Sequence, residues 1–246
     1  MKPLMRTVPE TPAVARYSEA NVPTEYGTFR IVVYREQVPG GGYQEHVAVV
    51  CGDVRGEDVP VRVHSECMTG EVLHSMKCDC REQLDWALRY VSGVGHGAVL
   101  YLRQEGRGIG LGDKIRAYAL QERGVDTVDA NRMLGLPDDS RRYHVAAFMC
   151  ADLGIRSVAL LTNNPNKVQQ MRSEGVPVAR RVAVAIEPNE HNRGYLVAKT
   201  RRMGHHLDLS TLTRGTAESL APEAVVEPLT GGAVEYASRT VMARQR

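Results

Sequence analysis

Between about residue 80 and residue 186, short runs of branched apolar residues alternate with stretches of helical period. No other feature constrains the fold as strongly. A strand–helix–strand order sets strands side by side in one sheet and packs the helices on its faces. Ala98–Leu102, Ser157–Leu161 and Val178–Ile186 are the apolar runs. Cys80–Val91 carries Leu84, Leu88 and Val91 on one helical face. Asp113–Arg123 has Ile115, Tyr118 and Ala119 at helical spacing and stops at Gly124. Tyr143–Leu153 stops at Gly154, Asn166–Glu174 stops at Gly175, and Asn192–Met203 is a last expected helix. Upstream, Phe29–Tyr34, His46–Cys51 and Pro60–His64 read as strands, with Gly40-Gly41-Gly42 as a loop between the first two. The expectation is an α/β (α+β) fold: a mixed sheet with flanking helices in a single domain.

The ends differ in character. Residues 1–20 are polar and broken by Pro3, Pro9 and Pro12, which predicts a flexible arm. Residues 208–246 are rich in Ser, Thr, Ala and Gly without a clear period and are expected to form a poorly ordered extension. The folded domain is expected over 21–207. A net charge of +2 is too small to argue for nucleic acid or a membrane surface. No run approaches the roughly 18 apolar residues of a membrane helix, and the N-terminus has no apolar signal core.

Three of the five cysteines cluster: Cys67, Cys78 and Cys80. An odd count with three gathered does not make a disulfide framework, so a reducing, cytoplasmic setting is expected. Three soft thiolates suit zinc, and three protein ligands leave the fourth tetrahedral position for water, the arrangement of catalytic sites. The other reading is three cysteines packed as small apolar residues. His64, Glu66 and Asp79 beside them favour the metal, because a core strand would not carry such neighbours. The site falls near the start of the helix expected from Cys80.

Six stretches then align in order: Arg62-Val63-His64-Ser65-Glu66-Cys67, Cys78-Asp79-Cys80, 103–110 (RQEGRGIG), 114–121 (KIRAYALQ), 126–131 (DTVDAN) and 161–167 (LTNNPNK). Together they resemble GTP cyclohydrolase II from about Val22 to His206. The resemblance implies a catalytic domain that hydrolyses GTP to 2,5-diamino-6-ribosylamino-4(3H)-pyrimidinone 5′-phosphate, formate and pyrophosphate, the first step of riboflavin synthesis. It implies zinc on Cys67, Cys78 and Cys80, magnesium with the triphosphate, and a homodimer. Many members carry a second enzyme, 3,4-dihydroxy-2-butanone 4-phosphate synthase, in front. Only about 20 residues precede the matching segment here, so that activity is expected to be absent.

By the same resemblance Tyr118 serves the second hydrolysis, that of the ring-opened formamide; a phenol can position water or protonate the leaving amine. Asp139 and Arg141 match the family pair for pyrophosphate release. The family pattern casts the arginine as a nucleophile on the α-phosphate. An arginine keeps its proton in proteins, so a guanidinium clamp is the simpler account, with Asp139 orienting it or activating water. Arg62, Ser65, Glu66, Gln83, Glu105, Gly106, Arg107, Thr127, Thr162 and Lys167 are carried over as substrate ligands. Arg62, Arg107 and Lys167 suit phosphates, and Glu66 or Glu105 suits the N1–H and 2-amino edge of guanine. Gly106, Gly108 and Gly110 suit an anion-binding loop. His64 is expected to orient a ligand or Glu66, and His205-His206 to be a surface pair. Cys51 and Cys150 are assigned to the core.

Two positions depart from the family pattern: Arg142 replaces an acidic residue, and Gly112-Asp113 replaces a bulky residue followed by asparagine. They leave open a paralogue of specialised metabolism, or one that stops at the formylated product. A reading of another class is a non-catalytic GTP-binding regulator; the retained cysteines, Tyr118, Asp139 and Arg141 speak against it.

Overall fold

The computed structural model describes residues 13–125, 127–137, 139–187, 189, 192 and 200, with the backbone of a strand at Val226–Pro228. Eight strands form one mixed sheet: β1 (Val14–Thr24), β2 (Gly27–Gln37), β3 (Tyr43–Cys51), β4 (Val59–Ser65), β5 (Gly97–Leu102), β6 (Val158–Leu161), β7 (Val178–Val182) and β8 (Val226–Pro228). Their order is β1-β2-β3-β5-β4-β6-β7-β8. β1, β2, β3 and β5 pair antiparallel in succession. β5, β4, β6 and β7 run parallel, and β8 closes antiparallel on β7. The helices are α1 (Met68–Glu71), α2 (Cys80–Val94), α3 (Leu111–Gln121), α4 (Thr127–Met133), α5 (His144–Asp152) and α6 (Pro165–Ser173). This is the mixed-sheet, single-domain fold that the alternation predicts.

The core has two layers. On one face Val61, Val63 and Leu100 of the parallel strands pack with Tyr143, Met149 and Met171, which belong to α5, its lead-in and α6. On the other, Val99, Ala159, Leu161 and Val182 pack with Trp86, Ala87 and Val91 of α2. A strand covered on both faces reads as a continuous apolar run, as Gly97–Leu102 and Val158–Leu161 do.

Three local differences from the sequence reading have physical causes. Residues 14–20, expected in an arm, belong to β1. Almost all of its side chains are exposed, so no burial period marks it. Backbone pairing with β2 holds it, together with Arg16, whose guanidinium donates to Asp152 on α5 at 2.6 and 2.8 Å. The run 178–186 is a strand only to Val182, because β6 ends at Leu161, the partner of Val182. Beyond it the Asn163 side chain takes both backbone groups of Val184, donating to its carbonyl at 2.6 Å and accepting from its N–H at 3.0 Å. In α3 only Ala117 is buried, and Ile115 is exposed; this helix walls a cavity rather than the core. Apart from Asn192 and Thr200, the expected helix 192–203 falls outside the described residues, as do His205-His206, the first twelve residues and the remainder of 208–246.

Candidate active site

β4, β5 and β6 are adjacent and parallel, so their C-terminal ends lie side by side. Open α/β sheets place ligands at those ends. The segments after them, residues 65–67, 105–107 and 162–164, line one cavity with α2, α3 and α6.

β4 sets the floor. Its alternation turns Val61 and Val63 to the core and brings Arg62 and His64 to the cavity. Arg62 is buried; it donates to the Leu161 carbonyl at 3.0 Å and to Gln83, whose amide in turn donates to Asp79. Among the described residues its Nε has no partner. Burial lowers the pKa of Arg62, with Asp79 opposing. His64 bonds Glu71 at 2.7 Å, not Glu66, and stacks on Tyr101, whose hydroxyl donates to the other Glu71 oxygen. Burial holds His64 below the usual histidine range, with Glu71 opposing. Its Nδ1 is buried and has no partner among the described residues.

The three cysteines meet where the loop after β4 faces the start of α2. Their sulfurs lie within 4.8 Å of one another. Contacts with Cys78 and Cys80, then Lys114, hold the Cys67 thiol far below its ordinary range, while Cys67 pushes Cys78 and Cys80 up. A Cβ at Gly70 would stand 2.9 Å from the Cys78 sulfur and 3.3 Å from the Cys67 sulfur. Glycine there keeps the space around the sulfurs open. An all-sulfur donor set in that cradle fits a soft or borderline metal ion such as zinc. Cys51 and Cys150 lie in the core packing.

The loop after β5 is strained. Gly106 and Arg107 adopt φ of 61° and 62°, and Arg107 is one of few non-glycine residues to do so. Glu105 is held by three donors: the Met68 N–H at 2.6 Å, the Gly106 N–H at 2.9 Å and Lys114 at 2.8 Å. Glu66 accepts from Arg103 at 2.8 Å. The Arg107 carbonyl accepts from the Ser140 N–H at 3.0 Å, which docks the next loop. There Arg141 donates to Asp139 through its backbone N–H at 3.0 Å and through its guanidinium, Nε at 2.9 Å and Nη2 at 2.5 Å. Burial raises Asp139, but the Arg141 hydrogen bond and charge outweigh it, and the carboxylate stays ionised below its usual range. Gln104 ties the two ends of the cavity: its amide donates to Ser65 at 3.1 Å and accepts from the Arg142 N–H at 3.2 Å.

Of the residues singled out from sequence, Arg62, Ser65, Glu66, Cys67, Cys78, Cys80, Gln83, Glu105, Gly106, Arg107, Tyr118, Arg141, Thr162 and Lys167 all line this cavity. Asp139 stands behind Arg141. Thr127 opens α4, and its side chain lies outside the described residues. Arg142 is exposed and not part of the lining. Gly112 meets open space, and Asp113 pairs with Arg116 at 2.8 Å.

The order of these residues along the chain has a counterpart among known proteins: the sequence pattern of GTP cyclohydrolase II matches residues 15–183. The chain belongs to the GTP cyclohydrolase II family. A GTP cyclohydrolase-2 of Actinobacillus succinogenes is 49% identical over 195 residues, covering 79% of this chain and 88% of that one. One of Picrophilus torridus is 46% identical over 190 residues, 77% of this chain and 97% of its own. The riboflavin biosynthesis protein RibBA of Chlamydia trachomatis is 50% identical over 201 residues, 81% of this chain but 47% of that one.

Within this GTP cyclohydrolase II fold, several cavity residues carry no role in the sequence reading: Lys114, Asn131, Asn163 and Asn164. Two had a usable signal. Lys114 precedes Tyr118 by one helical turn and so shares its face. Asn164 before Pro165 is a helix start: its side chain accepts from the Asn166 N–H at 2.9 Å, with Pro165 in the first turn.

Proposed function

We propose that this chain hydrolyses GTP at two places, opening the guanine ring with loss of C8 as formate and releasing pyrophosphate, as the first step of riboflavin synthesis. One observation carries the reading: three sulfurs within 4.8 Å of one another open onto the same cavity as Tyr118 and Arg141.

Cys67, Cys78 and Cys80 would hold zinc, which when bound would supply Lewis-acid activation of water. Magnesium accompanies the triphosphate. The carboxylates divide the binding work. Glu105 accepts from three protein donors and Glu66 from Arg103 at 2.8 Å, so Glu66 has the greater capacity left to accept from the N1–H and 2-amino group of guanine, a pair adenine lacks. Tyr118, on the α3 wall, positions water or protonates the leaving amine in the second hydrolysis. Arg141 clamps the α-phosphate. Its guanidinium is permanently charged, and its two bonds to Asp139 fix the plane of the fork before substrate arrives. Arg62, Ser65, Gln83, Gly106, Arg107, Thr127, Thr162 and Lys167 complete the nucleotide contacts, and two chains form the working unit.

The test is incubation of the zinc- and magnesium-loaded protein with GTP while formate and pyrophosphate are measured together. Equal amounts are expected. Pyrophosphate without formate would make the chain a paralogue that stops early. Neither product, despite tight GTP binding, would make it a regulator. Sedimentation at about twice the 27.1 kDa chain mass checks the dimer.

A further inference from the structure

We propose that Lys114 is a positioning residue of the metal centre: its ammonium withdraws charge from the Cys67 thiolate, so that a site made of three thiolates keeps its Lewis acidity. This rests on the metal reading of the cysteines.

Lys114 is nearly buried, and its three contacts account for all the donors of an ammonium group. It donates to Cys67 Sγ at 3.0 Å, to Thr69 Oγ1 at 2.8 Å and to Glu105 Oε1 at 2.8 Å. A lysine so engaged is not a phosphate ligand, although it lines a cavity proposed to hold a triphosphate.

The chemistry of the donor set says what it does instead. Three thiolates carry one negative charge more than a divalent cation neutralises. They are also strong electron donors, so they weaken the pull of the metal on a fourth ligand. A charged donor on one sulfur counters both effects, and in a poorly solvated site such a bond is strong. Thr69 and Glu105 aim the ammonium: both hold it from the protein side while it reaches Cys67. Glu105 also accepts the Met68 N–H, next to Cys67 in the chain, so the cation and the thiolate are tied to one carboxylate. The same lysine lies on the helical face that carries Tyr118, 5.8 Å from the centre of its ring. It thereby fixes the distance between the cysteines and α3.

The experiment replaces zinc by cobalt(II) in the full-length protein and compares wild type, Lys114→Met and Lys114→Arg. Metal per chain, the thiolate-to-cobalt charge-transfer band and formate release are read together. Wild type is expected to take up about one cobalt per chain with a thiolate band. Lys114→Met is expected to keep the metal, move the band to lower energy and release formate about 10–100-fold more slowly. Its KM for GTP should stay within about twofold, because the interaction lost is not one with substrate. Lys114→Arg restores the donor and should return the band and most of the rate. Should Lys114→Met fail to fold, Lys114→Gln removes the charge while keeping an N–H and should shift the band in the same direction. A band unmoved in a folded variant, an unchanged formate rate, or loss of the metal overturns the role of Lys114. A wild type that takes up no cobalt through sulfur overturns the metal reading itself, and the proposal with it.

Discussion

The two halves of the sheet do different work. β4 to β7 run parallel, and nearly every candidate site residue lies on β4, on the loops that follow β4, β5 and β6, or on the helices those loops enter. β1 to β3 run antiparallel and contribute nothing to the cavity lining. Parallel strands bring like ends together, so three loops converge on one crevice. Antiparallel neighbours alternate their ends and cannot. The antiparallel half instead anchors the scaffold through α5. Glu36 of β2 accepts from His46 at 3.0 Å and pairs with His144 at the start of α5 at 2.8 Å, and Tyr34 donates to Asp152 at its end at 2.7 Å.

If that division is real, substitutions in the parallel half change chemistry with little change in stability, and those in the antiparallel half do the reverse. Cys67→Ser should have the largest effect. Loss of metal by elemental analysis and a fall in formate release of about a thousandfold are expected, since a metal contributes several kcal/mol to such a barrier. Arg141→Ala should slow pyrophosphate release about 10²–10³-fold, as for a lost charge-stabilising donor, with formate release less affected. Intact-protein mass spectrometry after quenching should find no nucleotidyl adduct on the wild-type chain; an adduct on Arg141 would replace the clamp by covalent catalysis.

Gly70→Ala tests the cradle. A Cβ 2.9 Å from the Cys78 sulfur must push it aside, so a chelator competition should show metal bound about 10–100-fold more weakly. In the antiparallel half, Glu36→Gln should lower stability at pH 7 by about 1.5–3 kcal/mol. The His46 hydrogen bond holds Glu36 below its ordinary 4.5, with burial opposing and His144 adding. A depressed carboxylate stabilises the fold above its unfolded-state value and loses that contribution as the pH falls through the folded value. The Tm gap between wild type and variant should therefore be full at neutral pH and close below about pH 4.5. A variant that instead alters the ratio of formate to pyrophosphate would break the comparison, because His144, the partner of Glu36, follows Arg141 by three residues in the chain. Tyr34→Phe should be mildest, costing about 1 kcal/mol in denaturant unfolding and leaving both product rates alone.

Much of this was legible in the chain. Buried strands such as Gly97–Leu102 show themselves because both faces are apolar, and α2 because its apolar residues keep a helical period, whereas α5 is apolar nearly all round and its helical face shows only in which residues are buried, Val145, Ala146, Met149 and Cys150. β1 was hidden because its side chains carry no burial pattern. α1 and α4 were hidden because four and seven residues are too few to show a period. At the site, the three cysteines stand out by chemistry, whereas the Asp-x-Arg pair and the glycine-rich loop stand out only through the family resemblance. Residues that act through others do not. Gln104, Glu71 and Asn163 look like ordinary polar residues until their partners, distant in sequence, are placed beside them.

The sequence by itself determined the family, the sheet-and-helix architecture and the cluster of cysteines that could hold a metal, because those depend on residue type, motif order and local period. Only the tertiary structure decided how the charges are shared. It gave His64 to Glu71, committed Glu105 to the protein, and brought Lys114 of α3 onto a thiolate 47 positions away. Such pairings depend on which strand ends lie adjacent, and local residue patterns do not carry that information.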